Sequence, residues 1–120
     1  MRKPINKSIY IPRKKIALFC QKWKIVEFAF FGSILREDFN INSDIDCLVK
    51  FSNEADWNLF DRVKMQRELE LILGRKVDLI NKKSIENSKN WLRKKEILGT
   101  KQIFYIQESF QEKKTTSNKQ

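Results

Sequence analysis

The chain has 120 residues, a formal net charge of +10, no histidine and only two cysteines. That length allows one core and little more. No apolar run approaches the roughly 20 residues needed to cross a bilayer, and no apolar signal core follows the basic N-terminus, so a cytoplasmic protein without a membrane partner is expected. With Cys20 and Cys47 as the only sulfur ligands, a disulfide scaffold and a zinc site are both disfavoured. Any metal must then be held by oxygen, which favours magnesium or manganese.

The charge is uneven. Arg2, Lys3, Lys7, Arg13, Lys14, Lys15, Lys22 and Lys24 occur before the first acid, and bases outnumber acids again from Lys82 onward. The middle of the chain is slightly acidic. A basic surface around an acidic centre suits a nucleotide or a polyanionic partner, and a solvated Lys-rich surface accounts for it equally well. Direct nucleic-acid binding is compatible with this pattern but not required by it.

In chain order, residues 1–11 read as a basic N-terminal arm. Pro12 suits the first turn of a helix. Ile16, Phe19, Cys20 and Trp23 then form one amphipathic stripe, which predicts a helix over 12–23. Residues 25–31, IVEFAFF, are apolar at nearly every position, as in a strand buried on both faces. Gly32-Ser33 ends that strand, and a short helical turn through Ile34, Leu35 and Arg36 is expected. Residues 38–43, DFNINS, are turn-formers.

A second strand is expected over 44–51, with Ile45, Cys47, Val49 and Phe51 on one face and Asp44 and Asp46 on the other. Asp56 is a candidate N-cap. Met65, Leu69, Ile72 and Leu73 make a second helical stripe, closed by Gly74. Residues 77–80 read as a third strand, 85–98 as a final helix, and 103–106 as a strand or packed extended segment. A single domain over 12–108 is expected, followed by a disordered polar tail at 109–120. The fold class expected is α/β (α+β).

The chemistry centres on the acids. Asp44 and Asp46, two residues apart on a strand, project the same way, and like charges raise each other's pKa values. A divalent cation relieves that conflict, and two such ions a few ångströms apart clamp phosphoryl and nucleotidyl transfer. Asp78 interrupts an apolar strand, and if the second and third strands are neighbours it joins the same patch. Gly32 allows a sharp turn and a close approach of backbone to ligand. The amides of the following helical turn make an anion site suited to a triphosphate. Ser33 and Ser43 can add hydroxyl contacts, and Arg36 can neutralise phosphate charge. Taken singly, a strand-ending Gly-Ser is an ordinary turn and an Asp-x-Asp an ordinary solvated face; it is the combination, in this order, that is specific.

Gly32-Ser33, ten residues, then Asp44-Ile45-Asp46 resembles the Gly-Ser-x10-Asp-x-Asp pattern of the DNA polymerase β-like nucleotidyltransferase superfamily. The stretches FFGSILREDFNINSDIDCLVKF and WNLFDRVKMQRELELILGRKVDLI are similar to the minimal nucleotidyltransferase (MNT, or MntA) family, and the resemblance covers about 12–106. It implies a small mixed sheet flanked by helices. It also implies magnesium on Asp44 and Asp46, with Asp78 completing the triad, and nucleotide phosphates on Gly32 and Ser33. Members of this family pair with HEPN-type ribonuclease toxins, which in the HepT–MntA arrangement are silenced by transfer of AMP from ATP to a tyrosine hydroxyl. The chain departs from the commonest pattern at Glu37 and Cys47, and Cys47 is expected in the core. Two other readings stay open: an antitoxin acting by binding alone, and nucleotidyl transfer to RNA or a small molecule. The small size of the domain favours an acceptor brought by a partner protein.

Overall fold

The structure is a computed structural model that describes residues 9–107. The expected arm is described only from residue 9, and the expected tail at 109–120 lies outside the described residues. Helix α1, Arg13–Lys22, begins after Pro12 and buries Ile16, Phe19 and Cys20, as the stripe predicts. Strand β1, Ile25–Phe31, is buried at every position. It passes into a 3-10 turn, Gly32–Leu35, anchored by buried Ile34 and Leu35.

Strand β2 spans Ile45–Phe51, so Asp44 stands one residue before it rather than within it. Helix α2 spans Leu59–Leu73. Its N-cap is Asn58, not the expected Asp56. The Asn58 side chain accepts from the Asp61 amide at 2.8 Å while Asp61 accepts from the Asn58 amide at 3.1 Å, a reciprocal box that Asp56 cannot form. Gly74 closes α2 in the left-handed region, φ +69°.

Strand β3, Val77–Asn81, runs directly into helix α3, Lys82–Glu86; helix α4, Trp91–Thr100, and strand β4, Gln102–Ile106, complete the chain. The single helix expected over 85–98 is therefore two. The break falls at residues 87–90, where the Asn90 side chain accepts from the Arg93 amide and starts a new helix.

The sheet order is β3-β2-β1-β4, with β2 and β3 parallel and the other pairs antiparallel, a mixed sheet as expected. One face carries Phe28, Phe30, Ile45, Cys47 and Val49 and packs against α1 and α2 through Phe19, Met65, Leu69 and Leu73. The other face carries Ala29, Phe31 and Leu48 and packs against Ile85 of α3 and Ile97 of α4. The unbroken burial of β1 follows from this arrangement, since it is an inner strand with helices on both sides. Both thiols are buried and free. Burial pushes Cys20 up to about 12 and Cys47 well above its ordinary value, so both behave as small apolar core residues.

Leu69 is fully buried, whereas Leu71 on the same helix is 85 % exposed. Leu69→Ala is expected to cost about 3 kcal/mol in urea unfolding, and Leu71→Ala less than about 0.5 kcal/mol. Equal losses at the two positions would contradict the packing described.

Candidate active site

The acids are brought together by the parallel pairing of β2 and β3, which sets Asp46 opposite Asp78. On its other side Asp46 stands opposite Phe31, the last residue of β1. The chain therefore turns at Gly32 directly beside the Asp46 carboxylate. Gly32 has φ +74°, and a Cβ built there would run into Asp46 Oδ2. Two requirements meet at this residue: a left-handed backbone and room for a carboxylate.

Ser33 ties the turn to both strand-entry acids. Its backbone N–H donates to the Asp46 carboxylate, and its hydroxyl donates to the Asp44 carbonyl at 3.1 Å. Burial pushes the Asp46 carboxyl up, followed by repulsion from Asp78 and then from Asp44, while the Ser33 N–H and the Arg36 charge partly offset this. Asp44 and Asp78 are exposed. Asp78 lies on β3, an edge strand of the sheet formed by the described residues.

Arg36 caps the 3-10 turn, its backbone N–H donating to the Ser33 carbonyl at 2.9 Å. Its side chain pairs with Asp38 at 3.2 Å on an exposed surface. Ser43 serves the loop: its hydroxyl accepts from the Asn40 amide at 3.1 Å. One contributor had no signal in the sequence. Arg75 donates to the carbonyls of Asn40 and Ser43 and lies 4.4 Å from the Phe39 ring centroid. With the Ile45 amide donating to the Lys76 carbonyl at 2.9 Å, Arg75 fastens the loop that delivers Asp44 to the strand that carries Asp78.

The donor set fits a hard divalent ion: three carboxylates, no sulfur or imidazole nearby except buried Cys47, and mutual repulsion that such an ion relieves. Among the described residues, no group of three or more potential ligands is gathered tightly enough to hold an ion as the side chains stand. The close pair is Asp46 with Asp78, and Asp44 stands at its margin. Because the raised Asp46 acid penalises the charged native form, Asp46→Asn is expected to raise the thermal midpoint of the metal-free protein at pH 7. That gain disappears as the pH falls through the carboxylate range, where Asp46 is protonated in both folded and unfolded chains. Melting curves at pH 7 and pH 3.5 in chelator check this, and a loss of stability at pH 7 would refute the electrostatic picture.

Comparison with known proteins shows the family and the fold. The family model described as "Nucleotidyltransferase domain" matches residues 13–104. A candidate protein adenylyltransferase of Methanocaldococcus jannaschii is 38 % identical over 85 residues, covering 71 % of this chain and 85 % of the relative. A solved toxin–antitoxin structure with AMP-PNP superposes with a TM-score of 0.61 at 20 % identity, covering 83 % of this chain and 77 % of that one. A structure of a tri-AMPylated Shewanella oneidensis HEPN toxin in complex with MNT antitoxin gives 0.54 at 19 % identity, covering 83 % and 74 %. At those identities the two structures bear on the fold alone. No helix among the described residues is long and apolar enough to cross a membrane. Motif, topology and family agree: this chain belongs to the nucleotidyltransferase domain family and is a nucleotidyltransferase enzyme.

Proposed function

We propose that this nucleotidyltransferase is an antitoxin that transfers AMP from ATP to a tyrosine hydroxyl of a partner HEPN ribonuclease toxin. The observation that carries the reading is the abutment of the Gly32–Ser33 turn on the Asp46–Asp78 pair, which would set backbone amides for phosphate directly against a carboxylate pair. Protein as the acceptor is in keeping with the Methanocaldococcus relative, a candidate protein adenylyltransferase, and a chain of the same fold occurs in complex with an AMPylated Shewanella toxin.

In this reading Gly32 and Ser33 present amides to the triphosphate, and Arg36 and Ser43 flank it. Asp44, Asp46 and Asp78 would hold magnesium or manganese, which when bound neutralises the triphosphate and polarises the α-phosphate. The acceptor hydroxyl enters from the open β3 edge. Its oxygen forms a bond to the α-phosphorus, the bond from that phosphorus to the bridging oxygen of the β-phosphate breaks, and pyrophosphate leaves with the electron pair. Asp78, exposed on the edge strand, takes the phenolic proton.

The test is incubation of the purified protein with labelled ATP, magnesium and a HEPN toxin of the same genome, followed by mass spectrometry of the toxin. Label on a tyrosine is expected, and Asp46→Asn should lower the rate at least about 100-fold while the fold persists. Label on RNA instead of protein would replace the acceptor. Full neutralisation of the toxin by a chain with Asp44, Asp46 and Asp78 all changed to alanine would show that binding alone suffices.

Gly32→Ala separates positioning from charge, because it leaves all three acids in place but displaces the Asp46 carboxylate. A drop in transfer of at least about tenfold is expected, with chain stability lowered by about 1 kcal/mol or more from the left-handed backbone. Unchanged transfer would mean that the turn does not set the position of Asp46.

A further inference from the structure

The carboxyl ends of the two parallel strands lie at the far end of the sheet from the acid pair. β2 ends at Phe51 and β3 at Asn81. From Asp46 to Phe51 is about 17 Å and from Asp78 to Asn81 about 10 Å along extended strands, and the lining of the cavity at Phe51 and Asn81 includes none of the three acids. The sheet face between is closed by Leu48 and Ile85, both buried. A ligand at this end is therefore separate from one bound at the acids.

A cavity of about 410 Å³ opens there, within the range of small-ligand pockets. Its lining includes Lys50, Arg62, Lys83 and Asn81, and Glu86 is the only acid among the described lining residues. The carboxyl end of a parallel strand pair is also where open α/β sheets place ligands.

Arg62 is the residue that points to a ligand. It projects from the first turn of α2 and is partly buried. Its Nη2 donates to the Leu79 carbonyl at 3.4 Å, the outer limit of a hydrogen bond, and its guanidinium lies 5.5 Å from the Phe51 ring centroid. Its Nε is buried with no acceptor, and the ion pairs among the described residues do not include it. Burial accordingly pulls its pKa below the ordinary arginine value. A partly desolvated cation with an unused donor and no carboxylate partner is costly. An anion in the cavity would offset the guanidinium charge, and the planar guanidinium fork suits phosphate oxygens.

We infer that this cavity is a second, non-catalytic anion site that takes a phosphate group through Arg62, Lys83 and Lys50. Inorganic pyrophosphate and the phosphate tail of a nucleotide share the required chemistry. The assignment stands on the cavity and its cations and does not depend on which acceptor the enzyme modifies.

The test uses the full chain carrying Asp46→Asn and Asp78→Asn, in the absence of metal, so that the acid pair does not recruit nucleotide. Pyrophosphate, ATP and inorganic phosphate are titrated separately and followed by backbone amide chemical shifts. Saturable shifts over residues 50–53 and 81–86 are expected. Arg62→Met should weaken binding at least tenfold and Lys83→Ala at least threefold. Saturation by pyrophosphate identifies the product-like anion, and saturation by ATP alone identifies a nucleotide tail. Shifts confined to residues 32–36, an absence of saturable shifts, or affinities unchanged by both substitutions would overturn the inference. If Arg62→Met unfolds the chain, Lys83→Ala decides the matter, because Lys83 is exposed on α3.

Discussion

The Asp46 carboxylate lies against the backbone of the Gly32 turn, and the organisation of the site follows from that close approach. β1 stops at Phe31 because the positive φ of Gly32 turns the chain away, and glycine is required there because a Cβ would strike the carboxylate. The turn then directs the Ser33 amide to Asp46 and the Ser33 hydroxyl to the Asp44 carbonyl. The Gly32–Ser33 turn and the acid pair are thus joined by direct contacts.

The rest of the fold holds that arrangement at the cost of electrostatic repulsion among the acids. Two helical layers bury β1 completely, which fixes where its last residue stands. Parallel pairing of β2 and β3 sets Asp46 beside Asp78, and Arg75 fastens the intervening loop to the start of β3. The acids then lie where one is half-buried and two are open, so the repulsion is concentrated on Asp46 and the exposed acids remain reachable. Local destabilisation at the site is a common cost of function.

Much of this was legible in the sequence because the signals were local. The apolar run of β1, interrupted only by Glu27, the alternation around Asp46 and the stripe of α2 each reflect a single element's own period. The Gly-Ser-x10-Asp-x-Asp spacing carried the site. What escaped depended on competition or on distance. Asp56 and Asn58 both suit a cap, and only the reciprocal contact with Asp61 decides between them. The apolar pattern over 85–98 looked continuous, yet Asn90 competes successfully for the Arg93 amide and divides it. Arg75 and Arg62 act through carbonyls and rings far away in the chain, and no local pattern announces such partners.

The proposed function requires that the Gly32–Ser33 turn and the three acids form a single metal–nucleotide site. Paramagnetic broadening measures it directly: manganese is added with a non-hydrolysable ATP analogue, and the loss of amide signals is mapped along the chain. The account predicts that signals near residues 32–33, 44–46 and 78 vanish first and together, and that Asp46→Asn suppresses the effect. Broadening centred elsewhere, or broadening at the acids with none at the turn, would contradict it.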